Sequence, residues 1–542
     1  MTLAITAGIL FPVDAFSENE VDDYQFGEKF NEKANGFLEG EFRIGFYIYP
    51  HQKRFVDHQD VYNAIQRMRE LGFNYLYVAV GADDDLWQGI LNICKKLRVA
   101  VIPQLDFAYL TPTSDIERLV QRAVPFIKKY KDHPSVLAFS VREEPGIDCI
   151  VPLQAYYKRI LDEVPDAPLH LVFNSLQVMK DMNVPFLSVT GTDRYPFWWE
   201  FNLKPDIGRA TPDSALTWFH TQLNSFYSVA NRTKMTPFES VITASTLELF
   251  RTADTIPTRT KGLNESLEER KNVYDRIVRM AERKNQGWFK VSDSMYGVWK
   301  YYRPPINCTS AMAWLSVMEG ASSVSTWAWS PMSREMQDKS YLKNPEVDRE
   351  YISSIIGRYG DGTPQLLELS EFAHEVRPFG KLFSAMRKDS VPVLRESFGA
   401  EEGIVGDPSS PTIEFDNDRV KWRSFNIPNF KGKVVVAVNT NVGEWSEGKS
   451  PKYLLESDLF RIDDEGNLID YVPYINALEV EGKILASGYE CFDLMSGKPV
   501  PVSSGGSIDL SIRPGRGAIL FLTPRGSAEY QALLEGYLSK NI

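Results

Sequence analysis

From about residue 42 the chain alternates short runs rich in β-branched and aromatic residues with longer stretches whose apolar positions recur at helical spacing. FRIGFYIYP (42–50) reads as a strand, and DVYNAIQRMRELG as a helix with a glycine stop. FNYLYVAVG follows as a second strand. DDDLWQGILNICKKLR then reads as a helix, acidic at its start and basic at its end, the order that the helix dipole favours. VAVIPQLDFA is the third strand, SDIERLVQRAVPFIKKYKDH the third helix and SVLAFSVREEP the fourth strand. LHLVFN and FLSVTGTDRYP give the fifth and sixth, and SSVSTWAWS (322–330), after the helix INCTSAMAWLSVMEGA, gives the eighth. No GxGxxG turn follows the first strand, so the alternation predicts an α/β fold closed as a (β/α)8 TIM barrel, not an open dinucleotide-binding sheet.

Two stretches compete for the seventh place, TPFESVITAS (236–245) and GWFKVSDSMYG (287–297), with the helical LEERKNVYDRIVRMAERK between them. One of the two belongs to an insertion near 246–300, and insertions in such barrels gather over the carboxyl-end mouth. Beyond residue 388 the pattern turns to β: KVVVAVNTN, YLLESDLFRID, YECFDLMSG and GAILFLTP are separated by turn residues. The expected organisation is an N-terminal extension (1–41), the barrel (42–388), an antiparallel β-sandwich (389–525) and a C-terminal tail (526–542).

A chain of 542 residues is long enough for two domains with a large core, and 43% hydrophobic with 24% charged residues is a globular composition. The net charge of −12 argues against a nucleic-acid partner, which requires a concentrated basic face. Cys94, Cys149, Cys308 and Cys491 lie far apart with no metal-ligand spacing, so neither a metal nor a cofactor is expected. The six histidines show no triad spacing and there is no GxSxG. No uninterrupted apolar run is long enough to span a membrane, and the apolar amino terminus carries no lysine or arginine before its hydrophobic run and no clear cleavage site.

The chemistry concentrates in FSVREEPG (139–146), where a strand ends on adjacent carboxylates. Barrel reactions occur at the carboxyl ends of the strands, so an acid at 143 or 144 points towards the mouth. A neighbouring negative charge raises a carboxyl pKa, as a proton donor near neutral pH needs, while Arg142 opposes this. Strand alternation leaves open which of the three side chains face inward together. Gln104 and Asp106 after the third strand, Asn174 after the fifth, and Tyr47 and Tyr49 at the end of the first are further mouth-side polar groups. Eight of the eleven tryptophans fall between residues 198 and 329, where pocket-facing loops are expected.

Glu143-Glu144-Pro145 resembles the Asn-Glu-Pro that ends the fourth strand of the retaining glycoside hydrolases of clan A, with glutamate in place of asparagine. FLSVTGTDRYP resembles the Asp-x-Tyr-Pro ending of the sixth strand in sugar-cleaving barrels. WKYYRPP, with the later MEGASSVSTWAWS, resembles the last βα unit of barrels related to β-galactosidases. The resemblance spans about residues 42 to 385 and rests on architecture and short motifs. It implies hydrolysis of O-glycosidic bonds of an oligo- or polysaccharide, with Glu144 as general acid/base and Glu143 taking over the asparagine's substrate contact. It also implies Asp193 and Tyr195 as pocket residues, and Trp327 and Trp329 as platforms for a pyranose ring. Retention needs a second carboxylate about 5 Å away as nucleophile and inversion a base further off, and both stay open. The family places its nucleophile at the end of the seventh strand, which nominates Asp293 if GWFKVSDS is that strand, with Glu239 and Glu248 as the alternatives. A carbohydrate partner and a secreted or periplasmic location follow from the same resemblance. A catalytically silent glycan-binding barrel and a transglycosylase remain open, as do sugar, linkage and oligomeric state.

Overall fold

The computed structural model describes residues 26–48, 58–79, 83–182, 187–196, 212–232, 237–243, 246–252, 288–292, 295–301, 304, 307–327, 349–353, 364–388, 419–442, 460–462, 468–471, 480–485 and 488–538. Seven strands come first: β1 (Arg43–Ile48), β2 (Tyr75–Ala79), β3 (Ala100–Gln104), β4 (Phe139–Glu143), β5 (Leu169–Phe173), β6 (Val189–Asp193) and β7 (Phe238–Thr243). After β8 (Thr246–Thr252), β9 (Trp288–Ser292) and β10 (Met295–Tyr301) comes β11 (Ser323–Trp327), the eighth barrel strand. Every neighbouring pair in the ring is parallel, and Arg43 opposite Ser323 closes β1 onto β11. β1, β2, β3, β5 and β6 are buried at every position because side chains fill the ring and helices cover it outside.

The covering helices follow from their sequences. In His58–Glu70, Val61, Ile65 and Met68 recur at helical spacing and are the buried face. Asp83 caps the helix Asp84–Leu97 by accepting from the Leu86 amide at 2.9 Å, and Arg98, in the left-handed region, ends it. The helix Cys308–Met318 is buried all round, since it packs on β7 and β11 on one side and on the C-terminal sheet on the other. Residues ahead of β1 form the helix Phe26–Phe37, whose Phe30 and Ala34, with Leu38 just beyond, lie in one cluster with the barrel interior. The first residue of β1, Arg43, bonds Asn31 of this helix, so the helix plugs the amino-terminal end of the ring.

β8, β9 and β10 lie outside the ring. With β12 (Arg349–Ser353) they form an antiparallel sheet in the order β12-β8-β10-β9. The seventh barrel strand is therefore FESVIT, and the strand in GWFKVSDS belongs to the inserted sheet.

The C-terminal domain is built on a six-stranded antiparallel sheet, β13-β14-β15-β22-β19-β20. Its strands are β13 (Arg387–Lys388), β14 (Val420–Asn426), β15 (Lys433–Asn439), β19 (Tyr489–Asp493), β20 (Lys498–Val500) and β22 (Gly517–Pro524). Two ribbons accompany it, β16 (Phe460–Ile462) with β17 (Leu468–Tyr471), and β18 (Val480–Leu485) with β21 (Ser507–Ile512). Ile484, Ile508 and Ile512 of the second ribbon cluster with Val435, Ala437 and Leu520 on one face of the sheet. Val434, Val436 and Phe521 on the other face join the barrel core. Ion pairs also cross between the domains: Arg423 reaches the buried Glu319 at 3.0 Å, and Arg516 pairs with Glu371 and Glu375. Residues 529–537, expected within a tail, form a helix whose buried Leu533 packs into this core.

Candidate active site

The end of β4 is irregular. Its register with β5 slips between Ser140 and Glu143, and Glu144, the next residue, takes φ 44°, a left-handed conformation. For a side chain with a Cβ this conformation costs about 1–2 kcal/mol, and such strain concentrates where a group must be aimed. The result is that the two adjacent glutamates part company.

Glu143 turns into the ring. Gln104 Nε2 donates to its Oε2 at 3.1 Å and Tyr47 also hydrogen-bonds the carboxylate. Glu143 is half-buried, and its Oε1 is sealed with no hydrogen-bond partner among the described residues. Burial first, then the charge of Glu144, push its carboxyl up to about 8, against the hydrogen bonds from Tyr47 and Gln104, so it carries a proton at neutral pH.

Glu144 turns outward and is exposed. Asn174 Nδ2 donates to its Oε2 at 3.1 Å, and it is hydrogen-bonded to Asp193 at the end of β6. Asp193 is 7% exposed. Burial, then the hydrogen bond to Glu144 and its charge, hold the Asp193 carboxyl well above the ordinary carboxylate range, with Arg194 opposing. The Arg194 guanidinium lies 4.6 Å over the Phe226 ring, and Arg142 lies 4.5 Å over Tyr109, whose hydroxyl donates to the Glu143 carbonyl. Among the described residues, several sealed polar atoms here have no hydrogen-bond partner: Gln104 Oε1, Glu143 Oε1, Asp193 Oδ1 and the Nε atoms of Arg142 and Arg194.

Asp106 sits in the turn Asp106–Ala108 after β3, where its charge reaches Glu143. Tyr195 and Trp327 are partly buried against the barrel interior at the carboxyl ends of β6 and β11. Tyr49, Asp293 and Trp329 lie outside the described residues. β9, the strand that precedes Asp293, is antiparallel to β10 in the inserted sheet and is not the seventh barrel strand. Glu248 lies within β8, opposite Trp299 and Tyr351.

Glu239, near the start of β7, is fully buried. It accepts from the hydroxyls of Tyr77 at 2.5 Å, Tyr75 at 3.2 Å and Ser325, with His170 Nε2 at 3.6 Å. Its acceptor capacity is spent below the mouth, where its charge also supports the buried Arg43. The sequence reading missed Tyr75, Tyr77, His170 and Arg43; a polar residue on a strand that otherwise reads as core is the signal that marks each. Among the described residues no group of three or more His, Cys, Asp or Glu is arranged to hold a metal, and no helix is long and apolar enough to cross a membrane.

No family model matches the sequence, and no curated protein does. Among solved structures, the chain is similar to one described as a glycoside hydrolase (10% identity, TM-score 0.44, covering 90% of this chain and 94% of that one). It is also similar to an Anoxybacillus α-amylase (10% identity, TM-score 0.41, 90% and 99%) and to the endo-β-1,4-mannanase of Thermotoga petrophila (10% identity, TM-score 0.37, 89% and 98%). No activity follows from likeness at this level.

Proposed function

We propose that this chain is a glycoside hydrolase that cleaves O-glycosidic bonds of an oligo- or polysaccharide at the carboxyl end of its barrel, with Glu144 as general acid/base. The hydrogen-bonded pair of Glu144 and Asp193 carries the reading. A glycosidic oxygen leaves readily only when protonated, and that needs a carboxylic acid holding its proton near neutral pH. Glu144, the exposed member of the pair, is the one placed to reach a substrate, and beside it the carboxyl of the buried Asp193 is held well above the ordinary carboxylate range. The Gln104 and Asn174 amides suit hydroxyls, and the faces of Tyr195 and Trp327 suit the CH-rich side of a pyranose.

Retention of configuration, as in the clan A enzymes that the fourth-strand motif resembles, belongs to the same proposal. It requires a nucleophilic carboxylate about 5 Å from the acid/base. Glu239 is committed to the core, so the role falls to an acid outside β7, and turnover by Asp293→Asn tests the first candidate. The β-domain, with its second layer read as a sandwich, packs on the barrel and offers a further glycan-contacting surface. A secreted or periplasmic location suits a polysaccharide substrate.

A catalytically silent glycan-binding barrel is favoured by one observation: Glu239 is the sole acid on β7 and is sealed. Turnover of a panel of aryl glycosides and oligosaccharides by wild type and Glu144→Gln separates the two. Hydrolysis by wild type, lost in the variant while binding persists, supports the enzyme. Binding without turnover in both supports the silent barrel.

A further inference from the structure

Glu144 is exposed, and a glutamate side chain rotates about several bonds, so packing does little to aim its carboxyl. The strand beside it supplies the aim. The Glu144 amide donates to the Val172 carbonyl on β5 at 3.0 Å, and Oε2 of its carboxyl accepts from Nδ2 of Asn174, just beyond the same strand, at 3.1 Å. The acid is thus tied to one neighbour at backbone and side chain together. Asp193 at the end of β6 is its other hydrogen-bonding partner among the described residues. A side-chain amide nitrogen only donates and does not titrate. Facing it, Oε2 is the acceptor whether the carboxyl is ionised or neutral, which leaves Oε1 to carry the proton of the neutral acid.

We propose that Asn174 is a positioning residue for the acid/base: by holding Oε2 it keeps the Glu144 carboxyl in one orientation and directs the transferable proton to Oε1, towards the leaving-group oxygen. The inference rests on the glycosidase reading and deepens it, giving Asn174 a part in leaving-group departure beyond any hydroxyl it holds. Proton delivery depends on alignment, and a misplacement of about 1 Å can cost on the order of 10²-fold. The Asn174–Glu144 bond joins two exposed side chains, so its loss shows in the reaction and not in the stability of the fold.

The test compares kcat/KM for a 2,4-dinitrophenyl glycoside and an alkyl glycoside of one sugar, that of the best substrate in the aryl glycoside panel. The full chain is used as wild type, Asn174→Ala, which removes the donor, and Asn174→Leu, which removes it while keeping the volume. kcat/KM reads transition-state stabilisation relative to free enzyme and substrate, and the dinitrophenyl leaving group needs no proton. Loss of positioning therefore falls on the alkyl substrate: the ratio of dinitrophenyl to alkyl kcat/KM rises about tenfold or more in both variants, with urea midpoints at the wild-type value. A lost contact to a sugar hydroxyl lowers both substrates together and leaves the ratio where it was. An unchanged ratio in both variants, with wild type active, overturns the proposal and leaves the glycosidase reading standing. Absence of turnover by wild type across the panel overturns the glycosidase reading and the proposal with it.

Discussion

Replacing Glu239 by glutamine separates a structural from a catalytic role for the one acid on the seventh barrel strand. The carboxylate is fully buried, accepts from three hydroxyls and lends its charge to Arg43, itself 2% exposed. Among the described residues Arg43 also donates to Asn31 Oδ1 at 3.3 Å and lies 4.9 Å over the Phe30 ring. Glutamine keeps the volume but removes the charge and turns one acceptor into a donor facing hydroxyl donors. Each hydroxyl left without an acceptor costs about 1–3 kcal/mol, and losing the charge that favours the buried Arg43 guanidinium adds to this. Relaxation shares these losses, so the expected destabilisation is about 4 kcal/mol, read as a lower midpoint in urea followed by tryptophan fluorescence. Turnover per folded molecule should fall far less than the 10²-fold or more expected on losing a group that acts in the chemical step. A variant as stable as wild type but without activity would refute the reasoning and return Glu239 to the reaction.

Glu368 supplies a pH prediction. Its carboxylate accepts from the amides of Asn307 at 2.8 Å and Ser310 at 3.1 Å, and burial raises its pKa from 4.5 to about 7. A group whose folded pKa is raised contributes stability that is fully present below its unfolded pKa and is lost as pH rises through the folded one. Between pH 4.5 and 7 this amounts to about 3 kcal/mol. Urea midpoints at pH 5 and pH 8 should therefore differ less in Glu368→Gln than in wild type, and equal differences would contradict the assignment. Glycines give a paired test by thermal melting. A Cβ at Gly45 falls 1.5 Å from the Tyr75 carbonyl oxygen on the neighbouring strand, whereas one at Gly36, in the plug helix, meets nothing within 4 Å. Gly45→Ala should cost about 3 kcal/mol or more by forcing β1 from β2, and Gly36→Ala should stabilise by up to about 1 kcal/mol.

The barrel was legible because parallel βα units leave a periodic trace: continuous apolar strands between amphipathic helices. The seventh strand was ambiguous on composition, yet two β-rich runs separated only by Asp293 and Ser294 have the spacing of a hairpin, and a hairpin cannot supply a parallel strand. The plug helix was equally readable, since Phe30, Ala34 and Leu38 recur every four residues. Glu144 was located by its place after the fourth strand. Its contact with Asp193 was not legible, because β5 lies between β4 and β6 and only closure of the ring and the left-handed turn bring the two carboxyls together. The divergence of Glu143 and Glu144 was hidden for the same reason: simple alternation fails at a register slip.

The dependence of Glu144→Gln on leaving group tests the central claim most directly. If Glu144 protonates the departing oxygen, kcat/KM for an alkyl glycoside or an oligosaccharide falls by about 10²–10⁴ in the variant, whereas a 2,4-dinitrophenyl glycoside, whose leaving group needs no proton, loses much less. An equal loss on both substrates, or none on either, would contradict a proton donor at the end of the fourth strand.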